Sequence, residues 1–131
     1  MAHWIDSEIK LAGMLDELKS ATVLAVDTEF IRTNTFHPKI ALIQISNGVD
    51  CWLVDVLAVK NFGGLKMLLE SPDRQLIFHA CAEDLEVLDY ALGIRPNTIF
   101  DTQIAAVISN IGYSMGYARL VKEIFEVELD K

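Results

Sequence analysis

Two acidic residues, Asp27 and Glu29, stand two apart in the run Val23-Leu24-Ala25-Val26-Asp27-Thr28-Glu29-Phe30. The run reads as a strand, and side chains two apart on a strand share a face. Both carboxylates therefore project together from the end of a segment whose first half is wholly apolar. Adjacent acids at the rim of a core repel each other and lose solvation. The outcome is a raised pKa on one of them or a cation held between them. A strand that has simply reached the surface gives the same pattern with both acids in water. A second acidic segment is Glu83-Asp84-Leu85-Glu86-Val87-Leu88-Asp89. At the helical repeat, Leu85, Leu88, Ala91 and Leu92 form an apolar stripe. Asp84 falls about 50° from its centre, Asp89 about 90°, and Glu83 and Glu86 about 150°. Asp84 thus lies at the margin of the buried face, at a helix start just past a strand end, where it can be aimed at the sheet. The simpler role is a favourable charge at a helix N-terminus, worth ~0.3–1 kcal/mol. Taken together, the three carboxylates make the oxygen-rich donor set that Mg²⁺ or Mn²⁺ prefers. Two such ions ~3.5–4 Å apart can activate a water and stabilise the leaving oxygen in phosphodiester cleavage.

The elements that must position these acids follow from the pattern along the chain. Leu11, Met14, Leu15 and Leu18 repeat at helical spacing within Asp6–Lys19, with Asp6 or Ser7 as the cap. Val23–Phe30 is the first strand, and its apolar character on both faces places it centrally. Lys39–Ser46 and Cys51–Val56 are further strands, joined across the turn signal Asn47-Gly48, so that these three form an antiparallel meander. A short helix around Leu65, Leu68 and Leu69 stops before Pro72. Gln75–His79 is a fourth strand, Ala82–Leu92 a helix ended by Gly93, and Thr98–Phe100 a short fifth strand. Helices over Thr102–Asn110 and Gly116–Glu126 complete the chain. The expectation is an α/β fold with a mixed five-stranded sheet flanked on both faces by helices.

Composition bounds what such a site can belong to. The chain has 131 residues, 52% of them apolar, and a mean hydropathy of +0.31. That suits one domain with a real core and excludes intrinsic disorder. The longest run without a charged residue, Thr102–Ala118, contains Gln103, Asn110, two glycines and two serines, so no membrane span is expected. Asp6 and Glu8 arrive too early for a signal peptide, and Cys51 and Cys81 make no disulfide framework, which points to a reducing cytoplasm. The net charge of −8 argues against a simple phosphate-binding module. It is compatible with an enzyme that meets nucleic acid through cations held by its own acids.

The residues resemble a known family. Val26-Asp27-Thr28-Glu29-Phe30, followed by Arg32, Phe36, Pro38 and Leu42-Ile43-Gln44, is similar to the first exonuclease motif of ribonuclease D. His79 with Glu83-Asp84-Leu85-Glu86-Val87-Leu88 resembles its second motif. Phe100-Asp101-Thr102-Gln103, Ala105-Ala106 and the closing Val127 with Leu129-Asp130-Lys131 extend the likeness, which runs from about Thr22 to Lys131. The resemblance implies a ribonuclease H-like fold and a four-carboxylate 3′→5′ exonuclease. It also implies two Mg²⁺ or Mn²⁺ ions and release of nucleoside 5′-monophosphates from single-stranded RNA 3′ ends, including tRNA precursors. By position, Asp27, Glu29 and Asp84 would be the first three metal ligands, with Asp27 bridging and Asp84 acting largely through water. The family's fourth acid, and the Tyr four residues before it, lie in a helix beyond the segment that ends here at Lys131. Residues 1–131 therefore read as a single, incomplete exonuclease domain, expected to be inactive alone. The surface that the helix would cover becomes a candidate for self-association.

Other residues carry weaker signals. Phe30, Arg32, Phe36 and His79 are candidates for substrate contact, since aromatic rings stack single-stranded bases, although Phe30 suits core packing equally well. Asp101 opens a helix and reads as an N-cap. Cys81 beside His79 reads as a buried strand-end pair rather than a thiol nucleophile. The rival functions are a DNA-preferring exonuclease, an inactive nucleic-acid-binding or interaction module, and an α/β nucleotide-binding protein. Gly63-Gly64 alone is no phosphate loop, so the last ranks lowest.

Overall fold

In the computed structural model, which describes residues 1–31 and 36–130, eleven elements follow one another. They are β1 (Ala2–Ile5), α1 (Glu8–Leu18), β2 (Val23–Ile31), β3 (Lys39–Ser46), β4 (Cys51–Asp55), α2 (Gly63–Glu70), β5 (Gln75–Phe78), α3 (Ala82–Leu92), β6 (Ile99–Asp101), α4 (Thr102–Ile108) and α5 (Tyr117–Phe125). The strands form one sheet in the order β1-β4-β3-β2-β5-β6. β2, β3 and β4 make the expected antiparallel meander. Its turn is held by the Asn47 side chain, which accepts from the backbone of Val49 (2.9 Å) and Asp50 (2.8 Å), while Gly48 takes a φ of +90°. β5 adds parallel to β2, and β6 parallel to β5.

Two expectations need correction. The sheet has six strands, not five, because Ala2–Ile5 pairs parallel with Cys51–Val54 at the far edge. The residue types Ala-His-Trp-Ile do not alternate apolar with polar, and the pairing that makes them a strand spans some fifty positions. β2 is interior, between β3 and β5, but it is not buried on both faces. Leu24, Val26 and Thr28 are buried, whereas Val23, Ala25, Asp27 and Glu29 are exposed.

The main core lies on the Leu24–Val26 face. There Leu11, Met14 and Leu18 of α1, Leu65, Leu68 and Leu69 of α2, and Val87 and Leu88 of α3 pack with Ile43, Ile45, Val54, Leu76 and Phe78 of the sheet. α3 ends at Gly93 (φ +63°), with the Ile94 amide closing on the Leu88 carbonyl at 3.1 Å. On the opposite face, α5 stands over the sheet. A cavity of about 640 Å³ separates its Tyr117, Val121 and Ile124 from Ala25, Asp27 and Gln44. Leu120, Ala106 and Met115 form a small separate core there.

Arg74, which the sequence pattern does not single out, ties the helices of the main core together. It is buried and donates to the carbonyls of Ala21 (Nε, 2.8 Å), Leu68 (Nη1, 2.7 Å), Lys19 (Nη2, 2.9 Å) and Leu18 (Nη2, 3.4 Å). Neither α1 nor α2 carries a basic residue in its last turn. One guanidinium therefore supplies both helix C-termini with the donors and positive charge they lack. Truncating it strands several buried carbonyls at once. Arg74→Ala is expected to lower the unfolding free energy by ~3–5 kcal/mol, measured by urea denaturation. Arg74→Lys should recover little of the loss, because a single ammonium cannot span the same carbonyls. A cost below ~1 kcal/mol for Arg74→Ala would contradict this account.

Candidate active site

The site begins where a strand loses a neighbour. β2 runs nine residues, but its parallel pairing with β5 covers only Val23–Ala25. On the other side its pairing with β3 continues, with Asp27 opposite Gln44 and Glu29 opposite Leu42. β2 thus runs on beyond its last pairing with β5, carrying the two acids. The junction between an antiparallel and a parallel neighbour is also where the chain direction switches, a usual place for a site in α/β sheets. The register is irregular between Glu29 and Phe30, which turns the strand after the second acid.

The first turn of α3 occupies the space beyond β5. Asp84 is 6% exposed, and its Oδ1 accepts from both the amide (3.2 Å) and the hydroxyl (2.5 Å) of Thr28. Thr28 is itself buried, on the face opposite its two acidic neighbours. A side-chain oxygen of α3 thus takes up a backbone donor of β2 where the pairing with β5 has lapsed. Burial pushes the Asp84 carboxyl above its ordinary value. The Thr28 hydroxyl opposes this, and the negative charge of Asp27 adds to it. The buried side of α3 is Asp84, Val87 and Leu88, with Leu85 and Leu92 only half-buried. The stripe is rotated from the expected one, because an aspartate satisfied by Thr28 can be buried like an apolar residue. Glu83 and Glu86 are exposed, as expected.

Asp101 fixes how α3 enters the site. It caps α4 through the amides of Gln103 (2.8 Å) and Ile104 (3.4 Å) and also accepts from Ala80 (3.0 Å) and Cys81 (2.8 Å). Ala80, at a φ of +57°, makes the tight bend. Burial works to raise the Asp101 pKa, but the donors from Cys81, Ala80 and Gln103 outweigh it and hold the carboxyl at about 2. The expected N-cap role is therefore present and doubled. Burial and the adjoining Asp101 carboxylate push the Cys81 thiol up to about 11, which is unsuited to a thiolate nucleophile.

The candidate substrate residues separate. Phe30 is half-buried and packs against the main core. Phe36 is 88% exposed, with its edge against His37 (5.0 Å between centroids), which in turn stacks on Tyr90 of α3 (3.7 Å). His79 lines the cavity but uses both ring nitrogens inside the protein, Nδ1 with the Thr102 hydroxyl and Nε2 with the Met115 carbonyl, each at 2.8 Å. Gln103 donates to the same carbonyl at 3.0 Å, so His79 and Gln103 together anchor the loop that leads into α5. Arg32 lies outside the described residues. Among the described residues, no group of three or more His, Cys, Asp or Glu side chains is gathered to hold a metal ion. The donor chemistry nonetheless suits a hard divalent cation. Asp27, Glu29 and Asp84 offer only carboxylate oxygens, and the Asp27 charge already bears on Asp84. Thr28 is the residue that sequence reasoning missed. Its signal was its place between the two acids, which turns its side chain to the other face and toward α3.

Comparison with known proteins identifies the family of the fold. A family model described as 3′-5′ exonuclease matches residues 2–131. Ribonuclease D of Pseudomonas paraeruginosa is 42% identical over 129 residues, which is 98% of this chain and 34% of that protein. The crystal structure of Escherichia coli RNase D, described as an exoribonuclease involved in structured RNA processing, superposes with a TM-score of 0.94 at 35% identity, covering 99% of this chain and 35% of that one. The catalytic core of RRP6 from Trypanosoma brucei superposes at 0.89 with 26% identity, covering 99% and 36%. The chain spans about a third of the length of the curated relatives it matches. On the match over residues 2–131, this chain belongs to the 3′-5′ exonuclease family and carries the fold of a ribonuclease D exonuclease domain.

Proposed function

We propose that residues 1–131 belong to the exonuclease domain of a metal-dependent 3′→5′ exoribonuclease. It would hydrolyse phosphodiesters at single-stranded RNA 3′ ends, with tRNA precursors as a substrate class. The observation that carries the reading is the pair Asp27 and Glu29, side by side on the exposed face at the free end of β2, with Asp84 brought to the residue between them. Mg²⁺ or Mn²⁺ ions, when bound, supply an activated water and charge neutralisation at the leaving oxygen. Asp27 and Glu29 would hold them directly, and Asp84 would contribute from α3, in part through water. Phe36, on its His37–Tyr90 support, would stack a base, and Arg32 would meet a phosphate. His79 would act by placing α5, since its nitrogens are engaged. Family membership makes a nuclease the first reading. Among the described residues no helix is long and apolar enough to cross a membrane, and the free thiols Cys51 and Cys81 suit a reducing cytoplasm.

Three outcomes test this reading. In calorimetric titration, residues 1–131 should bind Mn²⁺ weakly, and Asp27→Asn should abolish the binding. Their exonuclease rate on single-stranded RNA should lie about a thousandfold or more below that of a chain carrying a fourth acid and its Tyr, as a loss of ~4 kcal/mol implies. Robust, metal-dependent release of mononucleotides by residues 1–131 would overturn the expectation of an incomplete site, and Mn²⁺ binding that survives Asp27→Asn would remove Asp27 from it. The second outcome concerns stability. Burial raises the Asp84 pKa above its ordinary 3.8. Its contribution to stability is therefore fully present below that ordinary value and lost as pH rises through the raised one, so at neutral pH the carboxylate works against the fold. Asp84→Asn keeps an oxygen for both Thr28 donors and removes the charge. It should raise the metal-free Tm, by about 4 °C for each kcal/mol gained, while weakening Mn²⁺ binding. A fall in Tm would contradict it. Third, apolar side chains remain exposed on the α5 side, among them Ile124, Phe125, Val127 and Leu129. Sedimentation at hundreds of micromolar should show dimers or larger species, and a clean monomer would count against self-association.

A further inference from the structure

The Thr28–Asp84 contact does more than satisfy a buried acid. Both Thr28 donors converge on a single oxygen, Oδ1, and both residues are at least nine-tenths buried. Asp84 is therefore held at one oxygen, and the direction of the other is fixed by the carboxylate plane. Thr28 is also the residue between Asp27 and Glu29, so the backbone that spaces these two acids is the backbone that holds the third. Thr28 faces the core while its neighbours face outward, and its contact with α3 links the two sides of the strand.

We propose that Thr28 is a positioning residue for divalent-metal binding. By occupying Oδ1 with its hydroxyl and amide, it leaves Oδ2 as the only Asp84 oxygen available to a cation or its water, and it sets where that oxygen lies relative to Asp27 and Glu29. The inference rests on the metal-dependent reading above. Partners that orient a ligand from behind are worth 10–100-fold in metal affinity in sites of this type. The neighbouring strand supplies no substitute, because the pairing of β2 with β5 ends at Ala25.

The test compares Mn²⁺ binding by the unmodified chain, Thr28→Val and Thr28→Ser, using calorimetry together with the metal-free Tm of each. Valine keeps the shape and the amide but removes the hydroxyl, whereas serine keeps the hydroxyl. Thr28→Val should weaken Mn²⁺ binding 10–100-fold, and Thr28→Ser should stay within about threefold of the unmodified chain. A merely structural hydroxyl would lower the Tm of Thr28→Val and leave its Mn²⁺ affinity unchanged, and that result overturns the proposal while the metal-dependent reading stands. Should the unmodified chain bind no Mn²⁺, that reading fails for residues 1–131 and the proposal fails with it. A second measurement needs no variant and covers the case in which Thr28→Val does not fold. The Thr28 amide of the unmodified chain should keep its protection from hydrogen exchange when Mg²⁺ is added to saturation. Loss of that protection would show Asp84 leaving Thr28 to reach the metal, and would overturn the proposal.

Discussion

The carboxylate of Asp84 on the amide and hydroxyl of Thr28 is the contact on which the arrangement of the site depends. A strand that outruns its partner exposes backbone donors, and burying them without acceptors would cost the fold. Here the acceptor comes from a helix rather than a strand. The exchange brings the start of α3 to the free end of β2 and places an acid within reach of two others. It also requires α3 to begin at the right height. Asp101 provides for this by holding the amides of Ala80 and Cys81 with the same carboxylate that caps α4. Asp84 and Asp101 thus seat the start of α3 beside the free end of β2, the strand that carries the other two acids.

The same physics accounts for the acids not being drawn together among the described residues. Two unit charges ~4 Å apart interact by ~4 kcal/mol at the effective dielectric near a protein surface. A third acid in the same space would add to that. Asp27 and Glu29 keep their solvation by standing exposed, and Asp84 turns one oxygen to Thr28. The acids thus share a region without forming a cage.

Much of this was legible from residue types and spacing. The meander followed from Asn47-Gly48 between two strand-like runs, and the shared face of Asp27 and Glu29 from the strand repeat alone. Helix α3 and its glycine stop were readable from Ala82 to Gly93. What escaped was non-local. β1 is a strand only because Cys51–Val54 lies beside it, and Arg74 matters only because two chain segments, the end of α1 and the end of α2, bring their carbonyls to it. The apolar look of Val23-Leu24-Ala25-Val26 correctly placed β2 inside the sheet but for an incomplete reason. Ala25 faces α5 across a cavity rather than a packed layer, and Val23 is exposed. Helical periodicity also misplaced the buried side of α3, since it counts Asp84 as polar and cannot know that Thr28 will satisfy it.

The cavity under α5 follows from the same asymmetry. The core side of the sheet is covered by three helices whose apolar residues interdigitate with it, whereas the acid-bearing side is met by one helix that seals only Leu120 against Ala106 and Met115. Its position is set by polar contacts, since the Met115 carbonyl that precedes it accepts from His79 and Gln103. A helix seated by hydrogen bonds at one end, rather than by close packing along its length, can leave an apolar cavity beneath it. Asp27 lines that cavity and, with Glu29, projects from the same face of β2, so the thinly covered side of the sheet is also the side that bears the acids. Stability is concentrated on one face, where Arg74 and the three helices close the core. The other face is left more open, with a cavity between α5 and the sheet.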